Sequence, residues 1–182
     1  HACIQTDGVV VQLPFPKHID IDAVLQTIPQ QYDVDAINYN GVGERVLPPV
    51  VGAIKLIAER HDVLFAAQKV TIVGHGLLVG KPAELWSQRQ GAQVKVVTKA
   101  DTDISTAVQE AHILILGAGK PGLITPEMIS DNVVIFDAGT SEVGGKLAGD
   151  AHPDCAHKAH LITPVPGGIG PITVAILLRN LV

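Results

Sequence analysis

The chain has 182 residues, of which 47% are hydrophobic and 17% charged, a composition that supports a substantial core and excludes an intrinsically disordered chain. The net charge of −5, with no basic run, argues against a nucleic-acid-binding surface, and no apolar stretch reaches the roughly 18 residues of a membrane span. Cys3 and Cys155 are too far apart in the sequence to suggest a disulfide framework, so we expect a cytoplasmic protein.

The first 60 residues are expected to contain one short strand and two helices. Val9–Val11 is an aliphatic run that ends shortly before Pro14, because proline fits neither a central strand nor a helix interior. Apolar residues at helical spacing predict helices over Ile19–Ile28 and Val50–Glu59. Cys3 is expected to be a buried strand residue.

Strands and helices alternate regularly from residue 69 onward. Short aliphatic runs, typical of strands buried on both faces, alternate with helical segments at intervals of roughly 20–25 residues. This alternation indicates βαβ units and an α/β fold, with a parallel sheet covered on both faces. The predicted strands are Val70–Val73, Val94–Val97, Ile113–Leu116, Val133–Asp137 and Leu161–Thr163, and the predicted helical segments are Lys81–Gln90, Ile104–Glu110, Pro126–Ile129 and Ile172–Leu181.

A glycine-rich turn follows the first of these strands and precedes a helix. Gly74, Gly76 and Gly80 have the spacing G-x-G-x-x-x-G. In dinucleotide-binding folds the first glycine permits a tight turn, the second lets the backbone approach the pyrophosphate, and the third allows the helix to pack on the strand. The helix N-terminus offers unpaired N–H donors to the anion. The motif therefore predicts a dinucleotide site, with a plain tight turn as the alternative.

The end of the second predicted strand bears on the choice between NAD and NADP. In NAD-binding proteins an acidic residue about 20 residues after the glycines hydrogen-bonds the ribose, but the nearest residue here is Lys99. A cation suits a 2′-phosphate, so the sequence favours NADP as the cofactor. NAD stays an alternative because Asp101 is close by, and an ordinary solvated lysine is the other interpretation of Lys99.

Five further segments carry a resemblance to a known family. They are residues 10–19 (VVQLPFPKHI), 32–36 (YDVDA), 79–82 (VGKP), 149–150 (GD) and 163–175 (TPVPGGIGPITVA). In this order, and over nearly the whole chain, they resemble the bifunctional methylenetetrahydrofolate dehydrogenase/cyclohydrolase family. The resemblance implies a homodimeric enzyme that holds folate in a cleft between two domains. It would oxidise 5,10-methylenetetrahydrofolate with NADP and hydrolyse the methenyl product to 10-formyltetrahydrofolate.

The resemblance also implies roles for individual residues. Gln12 corresponds to the glutamine beside the family's catalytic lysine, and Asp35 to the aspartate that hydrogen-bonds the pterin ring. The implied substrate-binding set is Val11, Gln12, Leu13 and Asp35, with a loop of Pro166, Gly167, Gly168, Ile169, Gly170, Pro171, Ile172, Thr173 and Val174. The implied cofactor-binding set is Gly74, His75, Gly76, Lys99 and Thr140, with His75 standing where the family has arginine.

The same resemblance divides the chain into three parts. Residues 1–48 would be a remnant of the folate-binding catalytic domain, residues 49–162 the NAD(P)-binding Rossmann-like domain, and residues 163–182 a folate and cofactor loop with a helix that packs back on the catalytic domain. The family's Tyr-x-x-x-Lys pair has no counterpart at either tyrosine. Since the chain also begins with histidine, we expect an N-terminally truncated member. The alternatives are a non-catalytic NADP-binding remnant and an unrelated Rossmann dehydrogenase.

Two other features have competing interpretations. His152, Cys155, His157 and His160 form an H-x-x-C-x-H-x-x-H pattern, which contains zinc-binding residue types but not the spacing of a recognised finger. A polar loop is therefore favoured, with a metal site as the alternative. Asp137 ends a strand at the edge where open α/β sheets bind ligands, so it is expected either to contribute to the site or to cap the following turn.

Overall fold

The computed structural model describes residues 6–16, 18–41, 46–101 and 103–182, so the expectation for Cys3 falls outside the described residues. The helices are α1 (Ile21–Gln26), α2 (Pro49–Arg60), α3 (Gly80–Arg89), α4 (Ile104–Gln109) and α5 (Ile169–Leu181). The strands are β1 (Lys69–Val73), β2 (Gln93–Val97), β3 (Ile113–Leu116), β4 (Val134–Asp137), β5 (Ser141–Val143), β6 (Lys146–Ala148) and β7 (Leu161–Ile162). Short 3-10 helices cover Gln30–Tyr32, Pro126–Met128 and Pro153–His157.

A five-stranded parallel sheet with the order β2-β1-β3-β4-β7 organises the chain. β3 and β4 are buried at every position, as continuous aliphatic strands are when helices cover both faces of a sheet. From β1 the chain first adds β2 on one side and then places β3 on the other. The strand order therefore reverses between β1 and β3, the point at which open α/β sheets bind their ligands. The predicted α/β fold is confirmed.

Two apolar clusters fill the space on the two faces of the sheet. One joins Ile54 of α2, Trp86 of α3 and Ile169 of α5 to the side chains of one face, among them Phe136. The other joins α4 and the later 3-10 helices to the opposite face through residues such as Val108. Because both faces are covered, the ligand-accessible part of the sheet is its carboxyl edge.

The structure corrects two expectations about local structure and adds one hairpin that was not predicted. The strand predicted at Val9–Val11 is a single parallel bridge between Val9 and Asp33, and among the described residues no strand pairs with Val10 or Val11. The antiparallel β5–β6 hairpin was not predicted, although Gly144-Gly145, with φ of +58° and +78°, is a typical two-residue hairpin turn. Helix α5 begins at Ile169 rather than at residue 172.

The early start of α5 changes the description of the predicted substrate loop. Residues 169–174 are helical, and only residues 163–168 precede the helix as irregular structure. Pro171 fits within the helix because it occupies the first turn, where no backbone N–H is needed. Among the described residues, no helix has the length and apolar character that crossing a bilayer requires.

Candidate cofactor and substrate site

Two glycine-containing loops meet at the reversal point of the sheet. The N–H of Gly74, after β1, donates to the carbonyl of Val97 at 2.8 Å, and the N–H of Gly117, after β3, donates to Val73 at 2.9 Å. Gly74 has a φ of +94°, and a Cβ there would come within 2.6 Å of the Gly117 carbonyl oxygen. Glycine is therefore required at position 74 both by the backbone conformation and by the neighbouring loop.

The turn that follows Gly74 has a closed side and an open side. A Cβ on Gly80 would overlap the carbonyl oxygen of Gly74, so the start of α3 can pack this closely only without a side chain. Gly76 is exposed and has no protein atom within 4 Å of a Cβ position. No side chain caps the N-terminus of α3. The turn therefore presents open backbone beside a helix N-terminus, the arrangement that accommodates a pyrophosphate.

A histidine–glutamate pair connects the same turn to helix α3. The Nε2 atom of His75 lies 2.7 Å from the Oε2 atom of Glu84 on α3, and the two side chains are 37% and 28% exposed. The other oxygen of Glu84 accepts a hydrogen bond of 3.3 Å from Gln88. His75 is thus oriented by α3 and remains accessible from solvent.

The segment after β2 separates the roles of Lys99 and Asp101. The Oδ2 atom of Asp101 accepts hydrogen bonds from the backbone N–H of Thr98 at 2.7 Å and from its hydroxyl at 2.9 Å. These bonds hold the pKa of Asp101 below its usual value. Lys99 is exposed. The carboxylate therefore shapes its own turn, and Lys99 is the side chain directed to solvent at this strand end.

Two buried carboxylates organise the loops after β3 and β4. Asp150 is completely buried, and its oxygens accept hydrogen bonds from the N–H groups of Ala118 (2.6 Å), Gly119 (3.1 Å) and Lys120 (2.6 Å). Asp137, 3% exposed, is the second of these carboxylates. Together they hold the loops that follow β3 and β4, which lie on the opposite side of the reversal point from the ends of β1 and β2.

Asp137 binds both the turn after β4 and the segment of Asp150. Its carboxylate accepts from the N–H groups of Gly139 (2.9 Å), Asp150 (3.2 Å) and Ala151 (2.8 Å), and its own N–H donates to the Thr163 hydroxyl at 2.7 Å. Burial raises the pKa of Asp137, and the neighbouring charge of Asp150 adds to this effect. Of its two expected roles, capping the following turn is the one visible in these bonds.

The substrate-binding candidates of the N-terminal segment differ in their surroundings. Gln12 is exposed and its Nε2 donates to the Leu13 carbonyl at 3.0 Å, while Val11 and Leu13 are half-buried. Asp35 is half-buried, and its burial, together with the nearby charge of Asp33, raises its pKa. Asp33 instead accepts from the N–H groups of Ile37 and Asn38. Within the described residues, the Asp35 carboxylate has no hydrogen-bond partner.

The candidates after β7 fall into an exposed group and a packed group. Ile169 is buried in the core, Gly168 is buried, and Thr173 donates to the Ile169 carbonyl at 3.0 Å within α5. Ile172 packs against the cluster that contains Trp86. The exposed members are Pro166, Gly167, Gly170, Pro171 and Val174, and Thr140 is likewise exposed after β4.

The comparisons with known proteins agree with this geometry. Residues 48–182 match the model of the tetrahydrofolate dehydrogenase/cyclohydrolase, NAD(P)-binding domain. The chain belongs to this family. The Bifunctional protein FolD of Hydrogenobaculum sp. is 38% identical over 183 residues, covering 96% of this chain and 66% of the relative. That of Aquifex aeolicus is 38% identical over 184 residues, covering 97% and 63%.

Solved structures of the family have the same fold. The bifunctional FolD enzyme of Campylobacter jejuni superimposes with a TM-score of 0.91 at 31% identity, over 96% of this chain and 65% of the other. The FolD enzyme of Trypanosoma brucei, described as complexed with NADP cofactor and inhibitor, has a TM-score of 0.86 at 33% identity, with 96% and 65% covered. The chain thus spans less than two thirds of the length of these family members.

Membership in the FolD family confirms some of the predictions made from the sequence and excludes one alternative. The family resemblance is confirmed, and so is an NAD(P)-binding domain, which contains the glycine turn. An unrelated Rossmann dehydrogenase is excluded. The division of the chain at residues 48/49 and 162/163, and the roles of the individual site residues, stay predictions.

Asp150 is the residue of this FolD-family site whose role sequence reasoning missed. It stands in the Gly149-Asp150 pair that contributed to the resemblance, but its partners are 30 to 32 residues earlier in the chain. Its only sequence signal is an acidic residue between small residues after a short strand. Burial of that acid, and hence its role, becomes visible only when the loops are assembled.

Two members of the His/Cys pattern, His152 and Cys155, make local contacts. His152 caps the following 3-10 helix by accepting from the Asp154 N–H at 3.2 Å. Cys155 is buried, and its thiol donates to the Ile124 carbonyl at 3.4 Å. In residues 6–16, 18–41, 46–101 and 103–182, no three His, Cys, Asp or Glu side chains are grouped so that they could hold a metal ion.

Proposed function

We propose that this protein takes part in the NADP-dependent oxidation of 5,10-methylenetetrahydrofolate to 5,10-methenyltetrahydrofolate and in the hydrolysis of that product to 10-formyltetrahydrofolate. The observation that carries the proposal is the glycine turn at the reversal point of the sheet, inside the residues that match the family's NAD(P)-binding domain. The neighbouring FolD enzymes are named for these two activities.

The chemistry of the turn fits a dinucleotide. Gly76 leaves open backbone at the turn, and the N-terminus of α3 has no side-chain cap to compete with an anion. Lys99 is an exposed cation at the end of β2, which favours a 2′-phosphate and hence NADP over NAD. His75 adds a second positive charge only when it is protonated.

The proposed roles of the chain's own residues are binding and orientation. A bound NADP would supply the hydride acceptor through its nicotinamide ring. Asp35 would accept hydrogen bonds from the amino and ring N–H groups of the pterin. A half-buried carboxylate with no hydrogen-bond partner in the described part of the chain supports this role. Gln12 would orient a neighbouring catalytic group, Thr140 would contact the cofactor, and the exposed part of segment 166–174 would border the rings.

The assembly and setting of the protein are proposed on the family resemblance. We expect a homodimer formed through the cofactor domain, located in the cytoplasm, with a product that supplies one-carbon units to purine biosynthesis. Light scattering of the purified chain, with and without NADP, tests the dimer. A monomeric mass under both conditions would contradict it.

The deciding experiment measures reduction of NADP, and separately of NAD, by the 182-residue chain with 5,10-methylenetetrahydrofolate. Calorimetric titration with each nucleotide accompanies the assay. Turnover with NADP supports the proposed oxidation by this chain. Nucleotide binding without turnover favours the alternative, a non-catalytic NADP-binding remnant. No binding of either nucleotide by the folded chain would overturn both.

A further inference from the structure

Asp137 and Asp150 are two adjacent buried carboxylates without a cationic partner among the described residues. The N–H of Asp150 donates to an oxygen of Asp137, so the two carboxyl groups belong to one network. Burying charge in this way is costly unless hydrogen bonds compensate it. Here backbone N–H groups from three separate segments provide that compensation.

The loop after β3 is shaped around the Asp150 carboxylate. Three successive N–H groups, of Ala118, Gly119 and Lys120, converge on its two oxygens, with Gly119 at a φ of +63°. Successive N–H groups in such a turn form a concavity that binds anions. Because an aspartate of the chain already fills it, this loop cannot use these groups for a cofactor phosphate.

The same carboxylates also determine the turn after β4. Gly139 and Gly149 lie so close to Asp150 and Asp137 that a Cβ on either would overlap a carboxylate. The Gly139 N–H is held by Asp137, and Thr140 follows directly. The loop after β3, the turn after β4 and residues 149–151 are therefore positioned by one pair of side chains.

These loops lie across the reversal point from the phosphate-binding turn. The glycine turn and Lys99 are at the ends of β1 and β2, whereas residues 117–120 and 138–140 are at the ends of β3 and β4. A dinucleotide in this fold straddles the reversal point. With its 2′-phosphate near Lys99 and its pyrophosphate at Gly76, its other half must extend over the ends of β3 and β4.

We propose that Asp150, held in place by Asp137, is a positioning residue for the nicotinamide half of the cofactor. It acts by holding the backbone of residues 118–120 at the end of β3, and it does not touch the adenosine half. The inference rests on the proposed function, since it assumes a dinucleotide at this edge of the sheet.

The test compares Asp150→Asn with wild type in calorimetric titrations of two ligands, NADP and adenosine 2′,5′-bisphosphate, the half that lacks nicotinamide. An asparagine has one acceptor oxygen and a donating NH₂ group, so it cannot satisfy all three N–H groups. We expect NADP affinity to fall about tenfold, with adenosine 2′,5′-bisphosphate affinity within about twofold of wild type. Asp154→Asn, at a nearby carboxylate that is 63% exposed, is the matched control and is expected to alter neither affinity.

The outcomes separate positioning from general stability. Equal loss of affinity for both ligands, or no loss for either, would overturn the proposal. If Asp150→Asn does not fold, Asp137→Asn tests the same network. The single oxygen of asparagine cannot accept both from Gly139 and Asp150 on one side and from Ala151 on the other, and the ratio of the two affinities decides in the same way. Failure of the folded wild-type chain to bind NADP would instead refute the proposed function, and with it this inference.

Discussion

Residues 48–182 and residues 6–41 are stabilised by different kinds of interaction. In the first region, backbone hydrogen bonds run along five parallel strands, and the helices α2 to α5 cover both faces. In the described part of the second, regular structure is limited to α1, one 3-10 turn and the bridge between Val9 and Asp33. The apolar side chains buried there, among the residues that the structure describes, are Leu25, Val34 and Ala36.

The N-terminal region depends on the end of α5 for part of its stability. The side chain of Asn180 donates to the carbonyls of Val34 and Leu47, both at 2.9 Å. A Cβ on Gly8 would come within 2.8 Å of Leu181. The proposed cofactor residues therefore lie on a sheet that supplies its own core, whereas Gln12 and Asp35 lie on a segment that other elements hold in place. Substitutions in the two regions should differ in what they destabilise.

The largest effect is expected from Gly80→Ala, because the new Cβ would overlap the Gly74 carbonyl oxygen. We expect it to lower the free energy of unfolding by about 3 kcal/mol.

The matched control for Gly80→Ala is Gly76→Ala, where the methyl group meets open space. That variant should unfold within about 0.5 kcal/mol of wild type but bind NADP about tenfold more weakly, since the methyl group enters the proposed pyrophosphate position. Urea denaturation and calorimetry measure the two quantities, and similar stabilities for both variants would contradict the close packing at Gly80.

A smaller effect, confined to the N-terminal region, is expected from Asn180→Ala. The substitution leaves the carbonyls of Val34 and Leu47 without this donor, at a cost of about 1–2 kcal/mol. Hydrogen exchange should become faster for the amides of residues 8–40 and stay unchanged in β1, β3 and β4. Leu178→Ala, at a side chain that is 60% exposed on the same helix, is the control. Uniformly faster exchange throughout the sheet would show that the two regions unfold as one unit.

The smallest effect is a pH dependence at Asp35, whose pKa is raised by burial and by the charge of Asp33. A raised pKa means that the folded chain holds this proton more tightly than the unfolded chain. The free energy of unfolding of wild type relative to Asp35→Asn should therefore fall as the pH rises from the ordinary aspartate range through the raised pKa, and stay level above it.

Asp101→Asn is the control with the opposite sign. Hydrogen bonds from Thr98 lower the pKa of Asp101, so wild type should lose stability relative to that variant as the pH falls through the lowered pKa. Urea denaturation of all three proteins at a series of pH values measures both differences. A difference between wild type and Asp35→Asn that is independent of pH would show that Asp35 has the same pKa in both states.

The features that could be predicted from sequence are those that depend on neighbouring residues. Ile113–Leu116 was predicted with its observed ends, because a short aliphatic run that ends at a glycine turn is typical of a buried strand. The glycine turn was recognised from its spacing. That spacing is informative because the conformation of Gly74 and the packing of Gly80 both require glycine. By contrast, β5 and β6 are three-residue strands with mostly exposed side chains, so they carry little hydrophobic pattern.

The sequence by itself determined the parallel α/β sheet, the alternation of its strands and helices, the glycine turn and the family to which the chain belongs. Each of these is encoded in short-range patterns of apolar and glycine residues. Only the tertiary structure decided that Val9–Val11 forms no strand, that α5 begins at Ile169, and that Asp137 and Asp150 join three loops. Those outcomes depend on partners that are distant in the sequence, because burial and hydrogen bonding between loops exist only once the sheet has brought its strand ends together.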